Sequence, residues 1–283
     1  MLCLAVCSLG TGFCMTLELI HTAAEGNAKP VKLLFVHGIC TGAWVWEQSF
    51  LPFFAELGYD SYALSLRGHG KSAGRENVRH FGLRDFADDV DWAVQQIGAP
   101  VVVVGHSLGG AVVQNYVKRG GKAAGVVLFC AVPPHGLFRA TAILLAHNPP
   151  LANELRKAIA RGLQAANLEV IENGLFAHAP APELRRMLLE RLDGVAETAG
   201  RQAFGWVPFA PLPWSMPKVF VIGGERDWFV PPGCVRMTAI YYGVRPVIVK
   251  NGAHAVMLDG NWRDAAEPIA DWLAASFAGG PSR

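Results

Sequence analysis

Three observations predict an α/β fold carrying a helical insertion. Strand-like apolar runs alternate with helix-period segments from Val31 to Ile97 and again from Pro217 to Phe277. Val101 to Val104 are four consecutive valines, the β-branched and wholly apolar composition of a strand covered on both faces. From His135 to about Ser215 the alternation gives way to helical patterns alone. The predicted units are a core of residues 15–134 and 216–283 and a cap of residues 135–215.

Taken in order, Leu17 to His21 reads as a first strand and Val31 to His37 as a second, which stops at Gly38. A loop from Gly38 to Gly42 leads to Trp44 and Trp46, and Ser49 to Leu57 fits a helix ended by Gly58. Asp60 to Leu66 is the next strand, followed by the glycine-rich turn Arg67 to Ser72, which lacks the residue order of a phosphate-binding P-loop. From Leu83 to Ile97, the residues Phe86, Val90, Ala93, Val94 and Ile97 share a helical face, which sets Asp85, Asp88, Asp89 and Asp91 mostly outward. The valine strand then turns through Gly105-His106-Ser107-Leu108-Gly109 into a helix with Leu108, Ala111, Val112 and Tyr116 at helical spacing. Gly125 to Val132 is a further buried strand, broken by Pro133-Pro134. Within the insertion, Leu151–Leu168 and Pro182–Thr198 read as helices. Strands resume at Pro217–Asp227 and Arg245–His254, and residues 261–277 close the chain as a helix with Trp262, Ala266, Ile269, Trp272 and Leu273 inward.

The 283 residues include 25 Lys+Arg against 23 Asp+Glu, a net charge of +2 that gives no electrostatic basis for holding nucleic acid or an anionic membrane. The basic stretch from Arg67 to Arg84 reads as a solvated loop face. Cys3, Cys7, Cys14, Cys40, Cys130 and Cys234 have neither zinc-site spacing nor disulfide-scaffold density, which points to a reducing, cytoplasmic setting. No cofactor or metal motif is found. Residues 1–14 have no Lys or Arg before their apolar run, no cleavage pattern, and too few residues to span a bilayer. Met15 accordingly reads as the natural start, with 1–14 an extension outside the fold.

The chemistry centres on Ser107. Gly105-x-Ser107-x-Gly109 sits where a strand becomes a helix, the context of a nucleophile elbow, in which a strained serine needs glycine two positions away on either side. A dinucleotide-binding turn is excluded, because that fingerprint needs glycine in place of Ser107 and an acid downstream, whereas Asp60 lies upstream. A serine hydroxyl acts as nucleophile only with a base, and the base needs an orienting anion. Two later strand ends supply them: His254 after Asn251-Gly252-Ala253, and Asp227 after Gly223-Gly224, with Glu225 the nearest rival acid. Parallel strands bring such ends to one edge. His37, His69 and His106 read as structural. Backbone N–H groups of Ile39 and Leu108 are the candidate oxyanion hole.

Together His37-Gly38, Arg67 to Ser72, Gly105 to Gly110, Gly223 to Asp227 and Ala253-His254 resemble the α/β-hydrolase superfamily, over about residues 31–277. The resemblance implies a mainly parallel eight-stranded sheet with helices on both faces and a cap inserted after the sixth strand. His37 to Trp46 also resembles plant methyl esterases and hydroxynitrile lyases. Gly38 stands where those lyases have threonine, and Ala255 where they have lysine, so hydrolysis is expected. The expected enzyme is a serine carboxylesterase acting on small to medium apolar esters. The alternatives are C–C bond hydrolysis or perhydrolysis with the same serine, and, in another class, a ligand receptor of low turnover. Phe138, Phe176, Met187, Phe204, Trp206 and Trp214 are candidates for an apolar acyl pocket. The oligomeric state has no sequence signature.

Overall fold

The computed structural model describes the backbone of residues 2–7, 14–205 and 208–277, and the side chains of 16–205 and 208–277. Strands β1 (Leu2–Cys7), β2 (Cys14–Thr22), β3 (Lys32–Val36), β4 (Ser61–Ser65), β5 (Val101–His106), β6 (Gly125–Phe129), β7 (Lys218–Gly224) and β8 (Pro246–Val249) form one sheet in the order β1-β2-β4-β3-β5-β6-β7-β8. The pairings β1–β2 and β2–β4 are antiparallel, and every pairing from β4 to β8 is parallel. Seven strands from Cys14 onward carry the site. β1 continues the sheet outward, pairing Leu2 with Leu19 and Cys7 with Cys14. Residues 2–7, expected outside the fold, therefore run along an edge whose open backbone groups can receive a strand; Met1 and residues 8–13 lie outside the described residues.

The valine strand alternates its side chains between two cores. Val101 and Val103 join Phe86, Val90, Val112, Tyr116 and Val235 on one face, packed by α2 (Leu83–Ile97), α3 (Leu108–Lys118) and α9 (Pro232–Tyr242). Val102 and Val104 join Trp46, Phe50, Phe54, Ile269 and Leu273 on the other, packed by α1 (Phe50–Glu56) and α10 (Arg263–Phe277). Burial on both sides is why all four valine positions are apolar.

Between β6 and β7 lie α4 (Phe138–His147), α5 (Pro149–Arg161), α6 (Leu168–Leu175), α7 (Pro182–Arg191) and α8 (Glu197–Gln202). The single helix expected over Leu151–Leu168 is broken at Gly162, whose φ of 92° lies in a region that glycine enters freely. The helix expected to reach Thr198 stops at Arg191, and the chain extends through Leu192 to Asp193. Asp89, expected outward, is buried, because Arg67 reaches across to it: Asp89 Oδ2 accepts the Arg67 backbone N–H at 2.9 Å, and Oδ1 accepts Nε and Nη2 at 2.8 and 2.6 Å. Arg67 and buried His69 are thus structural parts of the turn rather than a solvated basic face.

Candidate active site

Three strand ends meet at the carboxyl edge of the sheet. Ser107 follows β5, Asp227 follows β7 by three residues, and His254 follows β8 by five. His254 Nε2 lies 2.9 Å from Ser107 Oγ, and His254 Nδ1 lies 2.8 Å from Asp227 Oδ2. The other carboxylate oxygen accepts the N–H groups of Phe229 and Val230, both at 2.8 Å. Asp227 is thereby fixed as an acceptor on each side, so Nδ1 carries the proton and Nε2 presents a lone pair to the hydroxyl. The Phe229 ring stacks on the imidazole at 4.7 Å and holds its plane. Glu225, the rival acid, instead accepts the Asn251 N–H at 3.0 Å in an exposed position.

Ser107 has φ 52° and ψ −119°, a conformation that non-glycine residues hold only when the surroundings enforce it. The flanking glycines permit this. A Cβ on Gly105 would stand 2.6 Å from the Gly109 carbonyl oxygen, and one on Gly109 would fall on the carbonyls of His37 and Val36. Gly38 is pressed just as closely against the serine, with 3.0 Å from an added Cβ to Ser107 Cβ. The loop after β3 therefore lies beside the hydroxyl. Leu108 opens α3, where the first-turn N–H groups have no intrahelical acceptor.

His37 and His106, read as structural from the sequence, are engaged by groups other than the Ser107 hydroxyl. His37 accepts the Leu66 N–H on Nε2 at 3.0 Å and donates from Nδ1 to the Gly38 carbonyl at 2.7 Å. Burial, with His69 nearby, holds it neutral. His106 donates from Nε2 to the His254 carbonyl at 2.9 Å, and burial pushes its pKa down to about 3. Sequence reasoning missed Cys130. It has φ 44°, its Sγ lies 4.0 Å from the Ala253 carbonyl oxygen, and burial beside Asp227 pushes its thiol well above the usual range. His106, Cys130 and His254 bring ligand-type atoms within 4.8 Å of one another. A metal would require the Cys130 thiolate and the His254 lone pair, and these residues hold a protonated thiol and an imidazole already engaged by Ser107 and Asp227.

The inserted helices brace two parts of the site. The Leu175 carbonyl accepts the Ala255 N–H at 2.9 Å, and buried Asp259 accepts the Ala177 N–H at 2.8 Å, so the loop carrying His254 is tied to the end of α6. Asp193 donates its backbone N–H to the Cys40 carbonyl at 2.9 Å. Neither acid stands in a recognisable motif. Of the proposed pocket residues, Phe138 and Trp214 are solvent-exposed, Phe176 is buried with Met257 in the core on the α1 side, and Trp206 lies outside the described residues. Among the described residues no helix is long and apolar enough to cross a membrane.

A model of the Alpha/beta hydrolase family matches residues 33–272. The chain is 38% identical to a non-heme haloperoxidase of Rhodococcus erythropolis over 113 residues, 38% of this chain and 39% of that protein. It is 24% identical to Protein ABHD8 of Homo sapiens over 253 residues, 84% of this chain and 54% of that protein. It thus spans no more than about half the length of these curated relatives. The structure of a thermophilic esterase from Thermogutta terrifontis superposes with a TM-score of 0.72 at 18% identity, covering 98% of this chain and 100% of the other.

Proposed function

The chain belongs to the alpha/beta hydrolase family, and from that premise we propose that it cleaves carboxylic esters of small to medium apolar substrates through an acyl-enzyme on Ser107. The observation that supports this reading is the unbroken chain of hydrogen bonds from Ser107 Oγ through His254 to Asp227. Ser107 Oγ attacks the ester carbonyl as His254 Nε2 takes its proton, giving a tetrahedral oxyanion. Ile39 and Leu108 N–H groups stabilise that charge, a service worth about 3 kcal/mol for each donor. The imidazolium passes the proton to the leaving alkoxide, and Asp227 stabilises the cation meanwhile. Water, deprotonated by the same nitrogen, then releases the acid and restores the serine.

The similarity to a haloperoxidase favours a second reading, perhydrolysis. There hydrogen peroxide replaces water on the acyl-enzyme and yields a peracid. The test is turnover of p-nitrophenyl esters of increasing acyl length by wild type and Ser107→Ala, with and without hydrogen peroxide, and a fluorophosphonate label located by mass spectrometry. The expected result is turnover of the shorter esters by wild type, its loss in the variant, and a label on Ser107. A peracid signal exceeding acid release would favour the second reading; full turnover by Ser107→Ala would overturn both.

A further inference from the structure

We propose that Asp193, in the inserted helices, is a positioning residue for the oxyanion loop, so that the Ile39 donor is in place only when the insertion is seated on the core. The inference rests on the serine-hydrolase reading given above.

The loop is gripped at successive peptide groups. The Gly38 carbonyl belongs to the same peptide plane as the Ile39 N–H, and it accepts from His37 Nδ1 at 2.7 Å and from Thr41 Oγ1 at 3.2 Å. A rigid plane held at its oxygen has its N–H direction fixed at the other end. Two residues on, the backbone must enter the left-handed region at Cys40, φ 62°, a conformation that a cysteine keeps only under restraint. Its carbonyl is held by the Asp193 N–H. Thr41, the loop's own second grip on Gly38, follows directly.

Asp193 is itself bolted to the core. Its side chain is 1% exposed, and it accepts the Gly70 N–H on Oδ2 at 2.7 Å while Oδ1 pairs with Arg75 at 2.7 Å. Gly70 lies in the turn after β4, and a Cβ on Gly42 would come within 3.0 Å of the Gly70 Cα. One residue between α7 and α8 thus joins the insertion, the glycine turn and the oxyanion loop. The carboxylate makes the contacts to Gly70 and Arg75, and the backbone N–H makes the one to Cys40, so the side chain anchors the peptide group that holds the loop. Ile39 also faces the insertion through its Cδ1, 3.9 Å from the position of a Cβ on Gly200 in α8.

The experiment compares wild type, Asp193→Ala, Asp193→Asn and Arg75→Met on a p-nitrophenyl ester, with active sites counted by fluorophosphonate titration. Asp193→Ala is expected to lower kcat per titrated site by about tenfold, less than the ~10²-fold loss on removing a donor outright, with KM little changed. It should weaken a trifluoromethyl ketone, which mimics the tetrahedral species, by the same factor. Asp193→Asn keeps an acceptor for Gly70 and should recover most of kcat. Arg75→Met, altered at an exposed side chain, should fall between, and with the asparagine variant it carries the test should the alanine variant not fold. Unchanged kcat per titrated site, or a rise in KM alone, would overturn the inference. A wild type that neither turns over esters nor takes the label would instead overturn the hydrolase reading beneath it.

Discussion

At the scale of single residues, the roles proposed for Ser107, Asp227 and His254 follow from which lone pairs and protons face one another. Asp227 orients the imidazole, so Asp227→Asn, whose amide can donate to Nδ1, is expected to favour the wrong tautomer and lower kcat by about 10⁴ with the fold retained; ester kinetics beside a circular-dichroism spectrum check this. That these three side chains could meet was legible in the sequence because each ends a strand-like run. Strand ends are where an open parallel sheet gathers its chemistry. The sequence favours Asp227 and keeps Glu225 as its nearest rival at the same strand end; the packing turns Asp227 toward His254 and leaves Glu225 at Asn251. Asp193, Asp259 and Cys130 were invisible for a plainer reason. The contacts that tie each to the site reach groups 80 or more residues away, and such contacts leave no local pattern.

At the scale of elements, the elbow depends on glycines that let α3 approach β3. Gly109→Ala is expected to destabilise the protein by about 2 kcal/mol, the usual cost of overpacking, because the new methyl would fall on two β3-end carbonyls that cannot both move. A lowered urea midpoint at unchanged slope is the measurement. Gly120, where a Cβ meets nothing within 4 Å, is a poor mimic of this effect, but its φ of 90° makes it a comparison for backbone strain alone. Helix α2 was readable to its ends from its apolar spacing. Helix α9 and the breaks inside the insertion were not, because α9 mixes buried and exposed apolar residues, with Ile240 exposed and Ala239 buried, and so has no clean stripe. The swap that places β3 between β4 and β5 is likewise a property of the assembled sheet.

At the scale of the whole molecule, buried imidazoles govern acid stability. Burial lowers His69 to about 4 and His106 to about 3, and lowers His37 as well, whereas in the unfolded chain each titrates near 6.5. Below pH 6.5 the unfolded chain therefore binds more protons, and stability falls by about 1.4 kcal/mol per pH unit for each such histidine until its folded pKa is passed. Asp89, lifted to about 6 by burial, acts oppositely: its stabilising proton is present at low pH and lost as pH rises through 6. Asp193 is raised by burial as well, and the three imidazoles outweigh the two carboxyls, so denaturation followed in urea at pH 7, 6 and 5 should show stability declining stepwise. His106→Gln should flatten that slope by about one histidine's share.

The sheet's pairing order has a consequence for biosynthesis. The hydroxyl is in place once β5 and α3 have formed, yet its base arrives 147 residues later, beyond the outermost strand β8. On the proposed reading, a nascent chain leaving the ribosome carries an inert alcohol for the next 147 residues, and reactivity begins only when the loop after β8 docks.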